Sequence, residues 1–129
     1  MRNNNSGLSL MEVMVTLVIV AVIAGLAYPR YQKMVLRSKQ TEAKTVLRSI
    51  HMGQDLYLTA NQTFAQNLDD LDIQIPADTE YTYSVIVGAG GSTFTATAQA
   101  NIDNDPAMDE WQIDQENNLV NTINDVIEE

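Results

Sequence analysis

Residues 8–28 form one apolar run, Leu8 to Tyr28, interrupted by a single formal charge at Glu12. As a helix, ~20 residues rising 1.5 Å each match the ~30 Å hydrocarbon layer of a bilayer, so the run predicts a membrane span. An ionised carboxylate in lipid is unfavourable by at least a few kcal/mol unless paired, which marks Glu12 as a functional residue. Tyr28 and Tyr31 bracket Pro29 where an interfacial aromatic belt belongs. Gly25 and Pro29 predict a bend, because proline removes a backbone donor and clashes with the preceding turn. Beyond it, apolar residues recur at helical spacing: Val35, Leu36, Ala43, Val46, Leu47, Ile50, Leu56, Tyr57 and Leu58. Arg37, Lys44, Arg48 and Asp55 fall mostly off that stripe. Unbroken to about Thr59, the helix would be ~52 residues, or roughly 78 Å.

A stripe of that length needs a partner, and the rest of the chain supplies a sheet. Asn61 to Pro76 reads as a loop in which Phe64, Leu68, Leu71, Ile73 and Ile75 turn inward while Asp69, Asp70 and Asp72 stay in water. Tyr81 to Val87 alternates and is rich in β-formers, Gly88 to Ser92 is a turn, and Thr93 to Ala100 alternates again as the antiparallel mate. A third strand covers Glu110 to Asp114, and Gln115–Asn118 turns into Leu119-Val120. The acidic tail, Asn124 to Glu129, has little to pack with. The fold class is therefore α+β: a long N-terminal helix, its first half membrane-spanning, laid on a three- or four-stranded antiparallel meander.

Gly7 closes a short polar leader, and Glu12 is the fifth residue after it. Ser6-Gly7-Leu8-Ser9-Leu10-Met11-Glu12-Val13, followed by the apolar run and then Pro29, resembles the N-terminus of type IV pilins and type II secretion pseudopilins. The resemblance covers residues 1–60. It implies a leader, residues 1–7, removed by a prepilin peptidase that cuts between Gly7 and Leu8 and methylates Leu8. It also implies that Glu12 is the assembly glutamate and Pro29 the helix kink. On this division, residues 8–29 are the membrane and filament-core half of the helix and residues 30–129 the globular head. Two departures stand out: the first mature residue is Leu8 rather than the usual phenylalanine, and the leader carries one basic residue, Arg2. Apart from the family, a cut after Gly7 creates a positively charged α-amine. A carboxylate such as Glu12 on the next chain can pair with that amine in low dielectric and select one axial register.

Charge is sharply segregated along the chain, whose net charge is −10. All seven basic residues lie at or before Arg48, where only Glu12 and Glu42 are acidic, so the other fifteen Asp and Glu fall in a stretch with no cation. A head of that sign repels nucleic acid and anionic lipid, and no direct nucleic-acid binding is expected. With no cysteine, neither a disulfide nor a thiolate metal site is available, unlike many type IV pilins, whose C-terminal loop is pinned by a disulfide. A secretory signal peptide is the competing reading of the N-terminus, but Glu12 disrupts its apolar region and Ala24-Gly25-Leu26-Ala27 offers a poorly spaced cleavage site. The basic residues after the span would by themselves place its C-terminal side in the cytoplasm. The more specific peptidase motif implies the reverse, with the leader cytoplasmic and the head outside.

Candidate chemistry is sparse. Asn101, Asp103, Asp105, Asp109 and Glu110 put oxygens at alternating positions, like the first half of a calcium loop. Pro106 stands where glycine belongs and no bidentate glutamate follows, so a solvated acidic turn is the better account and no metal or cofactor is expected. His51, the sole histidine, has neither cysteine nor second histidine to work with, and reads as a helix residue against the sheet edge. Asp69, Asp70 and Asp72 imitate a carboxylate pair but sit in a polar loop. The Gly88–Gly91 run lies between strands and cradles no phosphate. The aromatics belong to packing. Nothing points to an enzyme. The implied function is a structural subunit of a type IV pilus-like filament for adhesion, twitching motility or uptake. The alternative is a pseudopilin in a periplasmic pseudopilus. The implied partners are further copies of the chain, other pilins, the prepilin peptidase, the inner-membrane assembly machinery and, before assembly, the membrane. The precursor would span the inner membrane once.

Overall fold

The structure, a computed structural model, describes residues 7–103 and 105–126. The leader expected at Met1–Ser6, with Arg2, and the last three residues of the acidic tail lie outside the described residues. The chain divides into two compact units, Met1–Met34 and Val35–Glu129. One helix, α1 (Leu10–Asn61), runs through both.

In the first unit α1 is exposed along its whole apolar run. It is long and apolar enough to cross a membrane, with a mean hydropathy of 2.6 in its most apolar window. Pro29 lies inside the continuous helix. Its missing N–H and its ring both bear on the carbonyl four residues earlier, that of Gly25, where an added Cβ would meet nothing within 4 Å.

In the second unit α1 packs on a four-stranded antiparallel sheet in plain meander order: β1 (Thr82–Val87), β2 (Phe94–Ala100), β3 (Asp109–Asp114) and β4 (Leu119–Ile123). The helix presents Gln40, Ala43, Val46, Leu47, Ile50, Gly53 and Gln54, a repeat of three and four residues that keeps one face inward. Opposite it, β2 buries Phe94, Ala96, Ala98 and Ala100. Three of the four are alanines, and Phe94 supplies the bulk at the start of the strand. Ile113 on β3 and Tyr81, just before β1, extend the core to either side. Leu56, expected on the stripe, is 72% exposed. The inward positions of that turn belong to Gly53 and Gln54, and Leu56 falls on the far side.

The helix ends where Gln62 takes φ 61°, with its N–H donating to the Leu58 carbonyl at 2.8 Å. Fully buried Gln54 then captures the returning chain. Its amide donates to the Ala65 carbonyl at 2.9 Å, and its oxygen accepts the Ala65 N–H at 2.8 Å. Phe64 and Leu71 are buried and Asp69, Asp70 and Asp72 exposed, as the loop pattern predicts. The β1–β2 turn rests on this loop through Gly91, at φ +71°, whose carbonyl accepts the Phe64 N–H at 3.0 Å. A Cβ on Gly91 would collide with Thr63 Oγ1, so this turn requires glycine twice over.

The expectation of a loosely packed tail fails at Asp125 and Val126. Both are 4% exposed, and Val126 joins the hydrophobic core. One buried acid explains why. Asp109 Oδ1 accepts the Asp125 N–H at 3.2 Å and so anchors the tail as it leaves β4.

Candidate functional site

The residues that the sequence singles out for processing and assembly lie in the first unit. Gly7 and Leu8 precede α1 and are exposed, Leu8 at 75%. Glu12 occupies the first turn of the helix and is exposed too. A carboxylate there is favoured by the positive end of the helix dipole. Its backbone carbonyl accepts the Thr16 hydroxyl at 2.8 Å. Met11, Met14, Val15, Val18 and Ile19 line an apolar groove next to it. A lone acid thus sits beside an uninterrupted greasy face, a surface that water solvates poorly.

The second unit carries a polar centre that the sequence pattern does not show. Asp109 is fully buried. Its carboxylate accepts the Tyr81 hydroxyl at 2.5 Å, the Trp111 indole N–H at 2.8 Å, the Gln40 amide at 2.8 Å and the Asn121 amide at 3.4 Å. Gln40 donates further to Asn124 Oδ1 at 3.1 Å. Helix, β3, β4 and the chain end are tied to one side chain, with enough donors to replace water around a buried charge. Burial, then the bond to Asp109, pushes the Tyr81 hydroxyl above its ordinary range. Burial likewise raises Tyr83, with its hydrogen bond to Thr79 opposing. The signal in the sequence is the pair of polar residues, Gln40 and Gln54, at inward helical positions of the apolar stripe, which the apolar pattern alone passes over.

The β2–β3 loop is the acidic turn that the sequence predicts. Asp103 Oδ1 accepts the Asp105 N–H at 2.9 Å, Asp105 Oδ1 accepts the Ala107 N–H at 2.6 Å, and Asn101 donates to the Asp105 carbonyl at 2.6 Å. Less expected is a third carboxylate brought in from the chain end, that of Asp125. Burial, then Asp103 and Asp105, holds its carboxyl above the usual range, with the Ile102 backbone partly opposing.

The cations of α1 divide between solvent and the head. Arg30, Arg37 and Arg48 are exposed. Lys39 bridges Glu80 at 2.8 Å, and Lys44 lies 4.2 Å from the centre of the Trp111 ring. His51 holds the β3–β4 turn, contacting the Gln115 carbonyl at 3.3 Å and Asp55 at 3.4 Å. That is the packing role its sequence context implies.

Comparison with known proteins follows the same outline. Residues 2–28 match the prokaryotic N-terminal methylation motif, and residues 40–111, over half of the chain, match the family described as type IV pilin-like G and H. The chain is 29% identical over 86 residues to the type IV major pilin protein PilA of Myxococcus xanthus (strain DK1622). That match covers 67% of this chain but 39% of the relative's length. A type IV pilin structure from Shewanella oneidensis superposes with a TM-score of 0.53 over 73% of this chain and 99% of that one. At 15% identity this likeness speaks for the fold alone. A processing motif, a long apolar-headed helix and a meander sheet thus coincide in one polypeptide, and the chain belongs to the type IV pilin-like family.

Proposed function

We propose that the chain is a filament subunit, made as a membrane-anchored precursor and polymerised through its N-terminal helix. A prepilin peptidase cuts between Gly7 and Leu8, and Leu8 becomes the methylated N-terminus. Residues 8–29 hold the precursor in the inner membrane and then pack in the filament core, with Pro29 as the kink. Residues 30–129 form the head that tiles the outside. Glu12 pairs with the α-amine of Leu8 on a neighbouring copy. Misregistered copies leave a buried charge unpaired, so the pairing sets the stagger between subunits.

The observation that carries this reading is the wholly exposed apolar run, with one acid five residues after a glycine. An apolar surface of this length needs lipid first and other helices afterwards. Mass spectrometry of the purified mature protein tests the first step, with N-methylated Leu8 as the expected N-terminus. The second step is tested by Glu12→Leu, which keeps the apolar face and removes the charge: processing continues while filaments disappear. Normal filaments from Glu12→Leu, or a mature chain beginning near Tyr28, refute the reading. Microscopy of the wild type separates the two settings of this chemistry, surface filaments for a pilus and none for a periplasmic pseudopilus.

A further inference from the structure

We propose that the groove between the end of α1 and the segment leading into β1 takes one arginine side chain, Arg48, from a second copy of this chain. This contact rests on the filament reading and adds the place where two heads meet. Met52 and Leu56, one turn apart on α1, are 67% and 72% exposed. Beside them runs a groove of about 330 Å³ whose other wall is Asp72, Ile73 and Gln74. A Cβ at Gly53 would come within 2.9 Å of Ile73 Cγ2, so this wall lies directly against the helix and the groove is formed in each copy. It is apolar along Met52, Leu56 and Ile73 and anionic at Asp72. An arginine has the matching parts in the same order, an apolar stem and a guanidinium at its tip.

The arginine comes from another copy because cation and acid lie on opposite flanks of one helix. At 3.6 residues per turn, Gly53 is turned about 140° from Arg48, five residues earlier. Arg37, Lys44 and Arg48, spaced by seven and four residues, share the flank on which Lys44 lies over Trp111 of β3. Gly53 and Leu56 share the other flank, beside the segment that precedes β1. Arg48 and Asp72 are both exposed, and neither forms an ion pair among the described residues. The sheet and its loops supply no lysine or arginine to this rim, since every cation lies at or before Arg48. Asp69 and Asp70, exposed in the same loop, deepen the negative potential there. Along the helix, Arg48 is level with the groove, whereas exposed Arg37 lies eleven residues, roughly 16 Å, below it.

A copy cannot close this contact on itself. Copies set side by side close it in succession, one flank against the opposite flank of the next. Such a head-to-tail interface leaves a free flank at each end and so propagates as an open polymer. The guanidinium meets Asp72, and its methylenes cover Met52 and Leu56, which water solvates poorly. An exposed ion pair alone contributes little; here the apolar wall excludes water from the pair, and other registers set like charges together.

Charge reversal in the full chain tests the contact, with filaments collected by sedimentation at low salt. Asp72→Arg and Arg48→Asp each lower the yield at least about tenfold. The two changes in one chain rebuild the pair in reverse between copies and restore the yield to within about threefold of wild type. All three proteins keep the wild-type thermal midpoint in detergent to within about 4 °C, because both positions are exposed. Arg48→Lys keeps the charge and lets a carbodiimide join the amine to the carboxylate it meets. In filaments mixed from isotope-labelled and unlabelled copies, mass spectrometry finds position 48 of one copy joined to Asp72 of another, and Asp72→Asn removes the link. Normal yield from either single reversal, no restoration in the doubly reversed chain, or no link between position 48 and Asp72 of different copies overturns the contact. Those results leave wild-type filaments intact, whereas failure of the filament reading itself shows as a wild type without polymer or a Glu12→Leu protein that still assembles.

Discussion

At the scale of single residues, the head is governed by Asp109. A fully buried carboxylate is costly to desolvate, and its partners decide whether it is tolerated. Tyr81, Trp111 and Gln40 meet it with short hydrogen bonds from three directions. Tyr81 carries the clearest consequence for stability. Its folded pKa lies above the unfolded value of about 10, so the folded state holds the phenol proton more tightly. The stability from this linkage is complete below pH about 10 and is lost as pH rises from there toward the folded pKa. Asp109, Tyr83 and Asp125 all face the hydroxyl and act in the same direction. Urea unfolding of the full chain in detergent at pH about 9, 10 and 11 therefore shows falling stability above pH about 10. Tyr81→Phe flattens that fall and leaves the smaller contribution of Tyr83. Equal pH slopes in the two proteins exclude this account.

At the scale of elements, the pattern of apolar positions was sufficient for α1, for the strands and for their antiparallel order, because each buries one face at a regular period. It was insufficient wherever a polar residue does a core residue's work. Gln54 is the plainest case: it sits at an inward position, and its amide completes the backbone bonds of Ala65 in a chain reversal without secondary structure. Gln54→Leu preserves volume but strands the Ala65 N–H and C=O in the interior, at about 1–3 kcal/mol for each group. Denaturant unfolding should register that loss, and a change below about 1 kcal/mol shows that the loop repairs itself. The tail was misjudged for a related reason. Asn124 and Asp125 look solvated in sequence, yet they follow a strand whose end lies next to Asp109 and Gln40. In the N-terminal segment the processing motif was legible because it is contiguous, six residues from Gly7 to Glu12. The acidic cluster was not, because it joins residues from separate parts of the chain.

At the scale of the whole molecule, charge is distributed by position in sequence. The basic stretch of α1 from Arg30 to Arg48 precedes a region with fifteen acids and no cation. In an assembly of many copies, heads of that charge repel one another, and exposed Arg30, Arg37 and Arg48 are available to offset the repulsion by meeting acidic surface on neighbours. Such contacts between exposed groups are screened over about 10 Å at 0.1 M salt and about 3 Å at 1 M. Filament yield should therefore fall between low and molar salt, as measured by sedimentation. A yield indifferent to salt shows that apolar contacts between helices suffice.

The meander order leaves β1 at one margin of the sheet, six residues long and without a charged side chain. Ile86, 72% exposed, lies near its end. A neutral strand rich in Thr, Tyr, Val and Ile, open along one side, is a template on which another chain can zip. In a filament built as proposed, such margins would lie near one another. The acidity of the heads would then keep one margin from closing on the next, so a surplus of negative charge that opposes assembly would also guard against amyloid-like pairing.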